Sequence, residues 1–254
     1  MNPLEHPIIF STPRRLARVS AWREHIPIAM FLVDAARPRT LVELGTHWGN
    51  SYCAFCQAVD ELGLDTRCHA VDTWAGDAHA GSYESEVLND LRAHHDPLYA
   101  RFSTLIPSTF DDALDHFSDG SIDLLHLDGY HTYDAARHDV DSWLPKLSDR
   151  GVLLMHDVNA RRREFGVWRV WEELKGEYRH LELFYGHGLG LLAIGGDVPP
   201  KIEELLSSSA EHLDAFQRLF FLLGSRLRRK APGAELLGRP EGEAPIPVAA
   251  PGTA

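Results

Sequence analysis

Two apolar stretches, each running directly into polar side chains, most constrain how this chain can fold. Residues 124–131 read LLHLDGYH and residues 152–157 read VLLMHD. A helical pattern over residues 133–147 separates them, which predicts two parallel strands joined by a right-handed crossover. Parallel strands end at one edge of a sheet, where open α/β folds bind ligands. We therefore expect four side chains to converge there: Asp128, His131, His156 and Asp157.

The composition limits the class of protein. The chain has 254 residues, of which 44% are hydrophobic and 24% charged, and these values are typical of one soluble α/β domain. A formal net charge of −12 argues against nucleic acid as a partner, because phosphate-backbone binding needs clustered Lys and Arg. Short basic runs occur at residues 161–163 and 226–230, and both solvated surface and anion binding stay open for them.

The cysteines and the apolar runs predict a cytoplasmic protein without a transmembrane segment. Cys53, Cys56 and Cys68 are an odd number, and no secretory signal pattern is found, so a disulfide framework is not expected. Cys53 and Cys56 fall in an apolar helical run and are predicted to be buried hydrophobic residues. No apolar run approaches the roughly 20 residues that cross a bilayer.

The pattern along the chain predicts an α/β fold with a Rossmann-like seven-stranded sheet, an antiparallel last strand and helices on both faces. The expected strands are residues 40–44, 67–71, 102–106, 122–127, 152–155, 181–185 and 189–194. Residues 1–39 are expected to form an N-terminal helical cap, 40–197 the core, 198–230 a C-terminal amphipathic helix and 231–254 a disordered tail. Residues 73–101 are expected to form a lid or substrate loop with a short helix. The apolar face of the C-terminal helix suits packing on its own domain or a homodimer.

A glycine-bearing turn follows the first strand, in the sequence LVELGTHWGNS of residues 41–51. Gly45 and Gly49 would let a ligand approach the backbone, but His47 replaces the second glycine of a dinucleotide fingerprint. Glu43 can pair with a ligand cation, and Asp72, at the end of the second strand, can accept hydrogen bonds from ribose hydroxyls. A positively charged nucleoside without phosphates fits these groups, and S-adenosylmethionine (SAM) is such a ligand.

Over residues 41–195 the chain resembles the class I SAM-dependent methyltransferases. The resemblance implies that the methionine end of SAM is held by the acidic residue and the glycine turn, and the ribose by Asp72. It also implies contacts from Trp74 and Ser108 to the adenine, although Trp74 could equally anchor its loop in the core. The implied residues for the methionine end are Glu43, Gly45, Thr46 and Gly49.

Within that superfamily the chain is most similar to metal-dependent sugar O-methyltransferases of the macrolide type and to domains associated with glycosyltransferases. The residues that carry this likeness are Asp128-Gly129-Tyr130-His131 and His156-Asp157. The likeness implies Asp128 and Asp157 as ligands of a divalent metal, and His131 as general base. His156 stands where relatives often have an acidic residue. As a ligand it would favour manganese over magnesium, or it could only flank the site. The implied acceptor is a hydroxyl of a sugar or a glycosylated small molecule.

Other interpretations stay open at this point. The same histidines and aspartates could assemble a metal-dependent hydroxylase-like or hydrolytic centre. A non-catalytic Rossmann-like interaction module is also compatible with the fold. An NAD-linked oxidoreductase is disfavoured by His47 and Glu43. Asp139 and Asp141 are predicted to lie on a solvated helix face, and His187, between two glycines, is predicted to be a turn residue.

Overall fold

A seven-stranded sheet forms the centre of the protein in a computed structural model, which describes residues 2–77, 81–82, 85–162 and 164–229. The strands are β1 (Thr40–Leu44), β2 (Arg67–Asp72), β3 (Gly76–Asp77), β4 (Gly81–Ser82), β5 (Ser103–Pro107), β6 (Ile122–Leu127), β7 (Leu147–His156), β8 (Arg179–Leu183) and β9 (Leu189–Ala193). The strand order in the main sheet is β5-β2-β1-β6-β7-β9-β8, and β3 pairs with β4 separately. Within the main sheet, β9 runs antiparallel to both of its neighbours. This confirms the predicted fold class.

The helices connect these strands and cover both faces of the sheet. They are α1 (Ile26–Ala36), α2 (Asn50–Glu61), α3 (Glu86–Tyr99), α4 (Phe110–Ala113), α5 (Tyr133–Trp143), α6 (Val167–Leu174), α7 (Pro200–Leu206) and α8 (Ala210–Arg229). Successive strand residues point to opposite faces, so Leu41 joins the core under α1 and α2, whereas Val42 joins the core under α5 and α6. The apolar runs that predicted the strands are explained by this burial on both faces.

Outside the main sheet, three segments differ from the sequence prediction. The segment predicted as a loop with a short helix contains the 14-residue helix α3, which is stabilised because Leu91 is fully buried. The N-terminal segment forms one regular helix, α1, preceded by 3-10 turns at Pro3–Glu5, Pro7–Phe10 and Arg23–His25. The predicted C-terminal helix is two helices, α7 and α8, because helical structure is interrupted at residues 207–209. The predicted disordered tail lies outside the described residues.

The C-terminal helix α8 packs on its own domain. Phe216 and Phe220 are buried, and their rings lie 5.2 and 5.4 Å from the ring of Phe31 in α1. The apolar face is therefore covered within the chain, as one of the two sequence interpretations expected, and a homodimer stays a prediction. The three cysteines are buried and free, also as expected. In the part of the chain that the structure describes, no helix has the length and apolarity that a bilayer crossing requires.

Candidate functional site

The four side chains predicted to converge do so at the carboxyl edge of β6 and β7. His131 Nε2 lies 2.8 Å from Asp157 Oδ2 and 3.9 Å from Asp128 Oδ1. His156 Nδ1 lies 3.0 Å from Asp128 Oδ1 and 3.4 Å from Asp157 Oδ2. Two carboxylates and two imidazoles thus form one contiguous cluster, in which Asp128 and His131 are about one-fifth exposed, at 19% and 20%.

The backbone around the cluster is held by close contacts between neighbouring loops. The Asp128 amide donates to the carbonyl of Leu44, at the end of β1 (2.8 Å). Gly45 has φ +86°, and a Cβ atom there would lie 2.0 Å from the carbonyl oxygen of Asp128. Asp157 has φ 60°, a left-handed conformation that aspartate tolerates better than most residues. The glycine turn after β1 and the acidic loop after β6 are therefore packed backbone to backbone.

His156 is an imidazolium in this arrangement. Its Nδ1 faces the carboxylate of Asp128, and its Nε2 lies 3.1 Å from the carbonyl of Gly186. Both partners only accept hydrogen bonds, so both ring nitrogens must carry protons. Burial opposes this charge, but the carboxylates of Asp128 and Asp157 raise the pKa of His156 well above its usual value.

The remaining ionisable groups of the cluster are shifted by the same charges. Burial would raise the pKa of Asp128 and of Asp157, but the charge of His156 outweighs it, so the pKa of Asp128 is lowered and that of Asp157 lies well below its usual value. Burial would lower the pKa of His131, but the hydrogen bond and charge of Asp157 raise it. The carboxylates of Asp128 and Asp157 stay ionised because the positively charged ring of His156 lies beside them.

A divalent cation fits part of this cluster. Asp128, His131 and Asp157 each offer a ligand atom, and these atoms lie within 4.8 Å of one another. Carboxylate oxygens suit magnesium and manganese, and one imidazole suits manganese better. His156 offers no lone pair, because both of its nitrogens donate hydrogen bonds, so the geometry favours a positioning role over the predicted ligation.

A small cleft lies against the cluster. Its lining includes Tyr130 and Val167 beside the cluster residues, and also Asp139 of α5. Burial raises the pKa of Asp139 to about 6. The prediction of a solvated face is therefore wrong for Asp139, because the close approach of α5 to Gly129 turns its side chain inward. Asp141 does lie on the exposed face, paired with Arg137.

A second group of polar side chains lies under the carboxyl ends of β1 and β6; the sequence predicted Glu43 as a site residue but not its pairing with His126. Glu43 is fully buried and accepts a hydrogen bond from Nδ1 of His126, at 2.8 Å, its register partner on β6. Burial raises the pKa of Glu43, and His126 opposes the rise. Trp22 packs edge-on against His126 at 4.9 Å. The pair could have been predicted from the sequence, because Glu43 and His126 each interrupt an apolar strand and lie opposite each other in the two strands.

Asp72 holds the turn that follows β1. Its Oδ2 accepts hydrogen bonds from the amides of Thr46 and His47, both at 2.8 Å, and its Oδ1 accepts from the amide of Trp74. The amide of Ser108 donates to the Asp72 carbonyl (3.0 Å), which places Ser108 beside the end of β2, and its contact with the adenine stays a prediction. Ribose binding by Asp72 stays a prediction.

Two predicted cofactor contacts are covered by the protein's own side chains. Trp74 is buried, and its indole N–H donates to the carbonyl of His47 at 3.0 Å. The ring therefore anchors its loop. A Cβ on Gly49, where φ is +75°, would lie 2.5 Å from a methyl group of Leu91. The packing of α3 thus requires a glycine at position 49. The sequence pattern indicates a different reason for this glycine, the close approach of a ligand to the backbone. Stacking of Trp74 on adenine stays a prediction.

Comparison with known proteins supplies the class of domain. Residues 42–158, which span β1 to the loop after β7, match the family model of the methyltransferase domain. This part of the chain is a methyltransferase domain. Protein y4gI of Sinorhizobium fredii is 45% identical over 224 residues, which are 87% of this chain and 24% of that protein. The chain therefore spans about a quarter of the length of this curated relative.

Solved structures share the fold of this methyltransferase domain. The methyltransferase PaMTH1 of Podospora anserina, bound to S-adenosylhomocysteine (SAH), has a TM-score of 0.51 and 16% identity, over 75% of this chain and 86% of that one. The O-methyltransferase TomG of Streptomyces achromogenes, in complex with SAM, has a TM-score of 0.51 and 15% identity, over 66% and 78%. The predicted Rossmann-like fold is confirmed by these structures, and the methyltransferase prediction is confirmed at the level of the domain.

Proposed function

We propose that this protein transfers the methyl group of SAM to a hydroxyl of a sugar or a glycosylated small molecule, with the help of a divalent metal. The observation that carries the proposal is the contact between Gly45 and the carbonyl of Asp128. It joins the turn expected to hold the methionine end of SAM to the cluster of Asp128, His131 and Asp157. A methyl donor and an acceptor hydroxyl bound at these two places would lie side by side, and such alignment supplies much of the rate in transfer reactions.

The cofactor end of the site would be formed by the turn after β1 and the end of β2. SAM supplies an electrophilic methyl group on a sulfonium. The sulfur is the leaving group, and it needs no protonation by an acid. Asp72 would accept a hydrogen bond from a ribose hydroxyl at Oδ1, which accepts one hydrogen bond in the structure, while Oδ2 holds the turn amides. Glu43 would hold the methionine end of SAM while it accepts the hydrogen bond from His126. This contact opposes the increase in the pKa of Glu43 that burial causes. The turn would be shaped by Gly45, Thr46 and Gly49. The adenine side would be bordered by Trp74 and Ser108.

His131 would accept the proton of the acceptor hydroxyl. In neutral His131, the Nε2–H donates to Asp157, so Nδ1 is the basic atom. Phe165 stacks on the ring at 4.4 Å and 13°, and the carbonyl of His131 accepts from the amide of Gly166 at 2.7 Å. The ring is thus fixed by a carboxylate, an aromatic face and its own backbone, as a general base requires.

The metal would be held by the two carboxylates. Asp128 and Asp157 offer oxygen ligands, and a bound divalent ion supplies a Lewis acid that lowers the pKa of a coordinated hydroxyl. The His156 imidazolium would orient both carboxylates from the buried side through its contacts at 3.0 and 3.4 Å. Hydroxyl acceptors suit this oxygen-lined site, and the likeness to sugar O-methyltransferases supports a sugar.

The experiment that tests this division of labour compares two aspartate substitutions. Asp128→Ala should abolish metal-stimulated methyl transfer and leave SAH affinity within about threefold of the wild type, since the carboxylate is assigned to the acceptor side. Asp72→Ala should weaken SAH binding by at least about tenfold. SAH binding is measured by calorimetry, and folding by circular dichroism. Equal loss of SAH affinity in both folded variants would refute the proposal.

A further inference from the structure

One arginine at the rim of the site is placed to recognise charge. Arg162 follows β7, and its guanidinium donates to Nε2 of His187 at 3.1 Å. It also lies 5.8 Å from the ring centroid of Phe165. Among the residues that the structure describes, Arg162 has no carboxylate within salt-bridge distance, whereas the preceding Arg161 lies 3.9 Å from Glu172 and 4.3 Å from the ring of Trp168. An exposed arginine that is not neutralised is a candidate anion-binding group.

His187 is held rigidly between this arginine and the cluster. It has φ 69°, and such strain in a bulky residue is frequent at functional sites. The carbonyl of Gly186 accepts hydrogen bonds from both His25 Nε2 (3.0 Å) and His156 Nε2 (3.1 Å), and the carbonyl of His187 accepts from the amide of Asn159 (2.9 Å). The hairpin turn predicted from sequence therefore also forms one wall of the site.

The position of Arg162 relative to the reacting groups follows from two short contacts. Because Nε2 of His187 accepts from Arg162, its Nδ1 carries the proton, and this atom lies 3.7 Å from Asp157 Oδ1. Only the width of one imidazole ring thus separates the guanidinium from a proposed metal ligand. On the other side, Phe165 lies between Arg162 and the stacked ring of His131. Arg162 is therefore separated from Asp157 and from His131 by a single aromatic ring in each direction.

We propose that Arg162, held in place by its hydrogen bond to His187, binds an oxyanion group, phosphoryl or carboxylate, on the methyl acceptor. This inference rests on the proposed function and narrows its acceptor to an acidic or phosphorylated sugar derivative. A guanidinium binds either group through two parallel hydrogen bonds, which sets the orientation of the molecule as well as its affinity. The formal net charge of −12 makes anion capture unfavourable over most of the surface, so an unneutralised arginine at the site would supply selectivity.

The test is calorimetric titration of inorganic phosphate and of sodium acetate into the full chain, with and without saturating SAH, at constant ionic strength. We expect saturable binding of at least one of the two anions, and a loss of about tenfold or more in affinity in Arg162→Gln. Phosphate and acetate distinguish a phosphoryl from a carboxylate preference. Arg218→Gln is the matched control, because Arg218 is an exposed arginine of α8 that pairs with Asp214 (2.8 Å). Its anion affinity should equal that of the wild type.

Two outcomes would overturn the inference: neither anion binds to the folded wild type, or Arg162→Gln binds both anions as well as the wild type does. The proposed function is judged separately, from SAH binding in the same preparations. If the protein binds SAH and Arg162→Gln has an unchanged affinity for both anions, only the proposed anion site is refuted. Failure to bind SAH would remove the proposed function, while the titrations without SAH would still decide whether Arg162 binds anions.

Discussion

Two aspartates on one strand show how the two edges of the sheet differ. Asp123 lies at the amino end of β6, and its carboxylate accepts three hydrogen bonds from Arg39, each at 2.8 Å, and one from Ser148 at 2.6 Å. Asp128 follows the carboxyl end of the same strand, and among the described residues its hydrogen-bond partner is His156. Asp123 is 2% exposed and Asp128 is 19% exposed.

The difference separates a stabilising carboxylate from one available to a ligand. At Asp123 both oxygens are satisfied by the protein, so the group can only contribute to folding. At Asp128 the carboxylate faces other titratable groups and the cleft, and its contacts leave room for a ligand. We infer that the amino edge of the sheet stabilises the domain and that the carboxyl edge performs the chemistry, as expected for open α/β folds.

The largest expected effect is at the carboxyl edge. His131→Gln should lower kcat by about a hundredfold or more, which is typical for loss of a general base, while the SAH dissociation constant stays unchanged. His138→Gln is a matched control, since His138 also contacts an aspartate at 2.8 Å but lies exposed on α5. Steady-state kinetics on both variants decides the matter. Equal activity in the two variants would remove His131 from the mechanism.

At the amino edge the same kind of change should act on stability alone. Asp123→Asn breaks the ion pair with Arg39 and should lower the free energy of unfolding by about 2 kcal/mol. Its kcat in the folded state should match that of the wild type. Urea denaturation followed by circular dichroism measures the first quantity. A loss of activity in the folded variant would contradict the separation of the two edges.

The pH dependence of this contribution has a defined sign. Contacts with Arg39 and Ser148 outweigh burial and lower the pKa of Asp123 to about 2, against about 3.9 in an unfolded chain. The stabilisation is therefore complete above the unfolded-state pKa and is lost as the pH falls toward the folded-state value. The difference in unfolding free energy between wild type and Asp123→Asn should be larger at pH 7 than at about pH 3. A constant difference would show that the ion pair is not its source.

The smallest effect is expected at an exposed ion pair. Asp141 on α5 pairs with Arg137 four residues earlier, and its side chain is 57% exposed. Asp141→Asn should change the unfolding free energy by less than about 0.5 kcal/mol, because solvent screens such pairs. The same urea titration applies. A change as large as that at Asp123 would mean that burial does not explain the contrast between the two aspartates.

Local patterns in the sequence were sufficient for the order of the main strands and for the convergence of the candidate cluster. β1 and β6 have the predicted bounds, because their apolar runs are buried on both faces. The convergence of Asp128, His131, His156 and Asp157 followed from the rule that a right-handed crossover brings two strand ends to one edge. The predicted β7 began too late, at Val152, because the actual strand starts at Leu147 with a register shift between Ile122 and Leu124.

The remaining features depend on contacts between distant segments, which no local pattern encodes. The N-terminal segment brings Trp22 and His25 under the site, where His25 packs against Tyr185 at 5.0 Å. Burial lowers the pKa of His25 to about 3, so it is a neutral donor to Gly186. The use of Asp72 by the turn amides, and the position of His187 at the site, likewise follow from loops that meet only in the folded chain.

We infer that the carboxyl edge holds SAM beside a metal-binding cluster. The test is calorimetric titration of the EDTA-treated protein with SAH, repeated after addition of magnesium or manganese. We expect micromolar SAH binding without metal, followed by metal binding to the SAH complex that is lost in Asp128→Ala. If the protein is folded by circular dichroism and yet binds no SAH with or without metal, the inference is refuted.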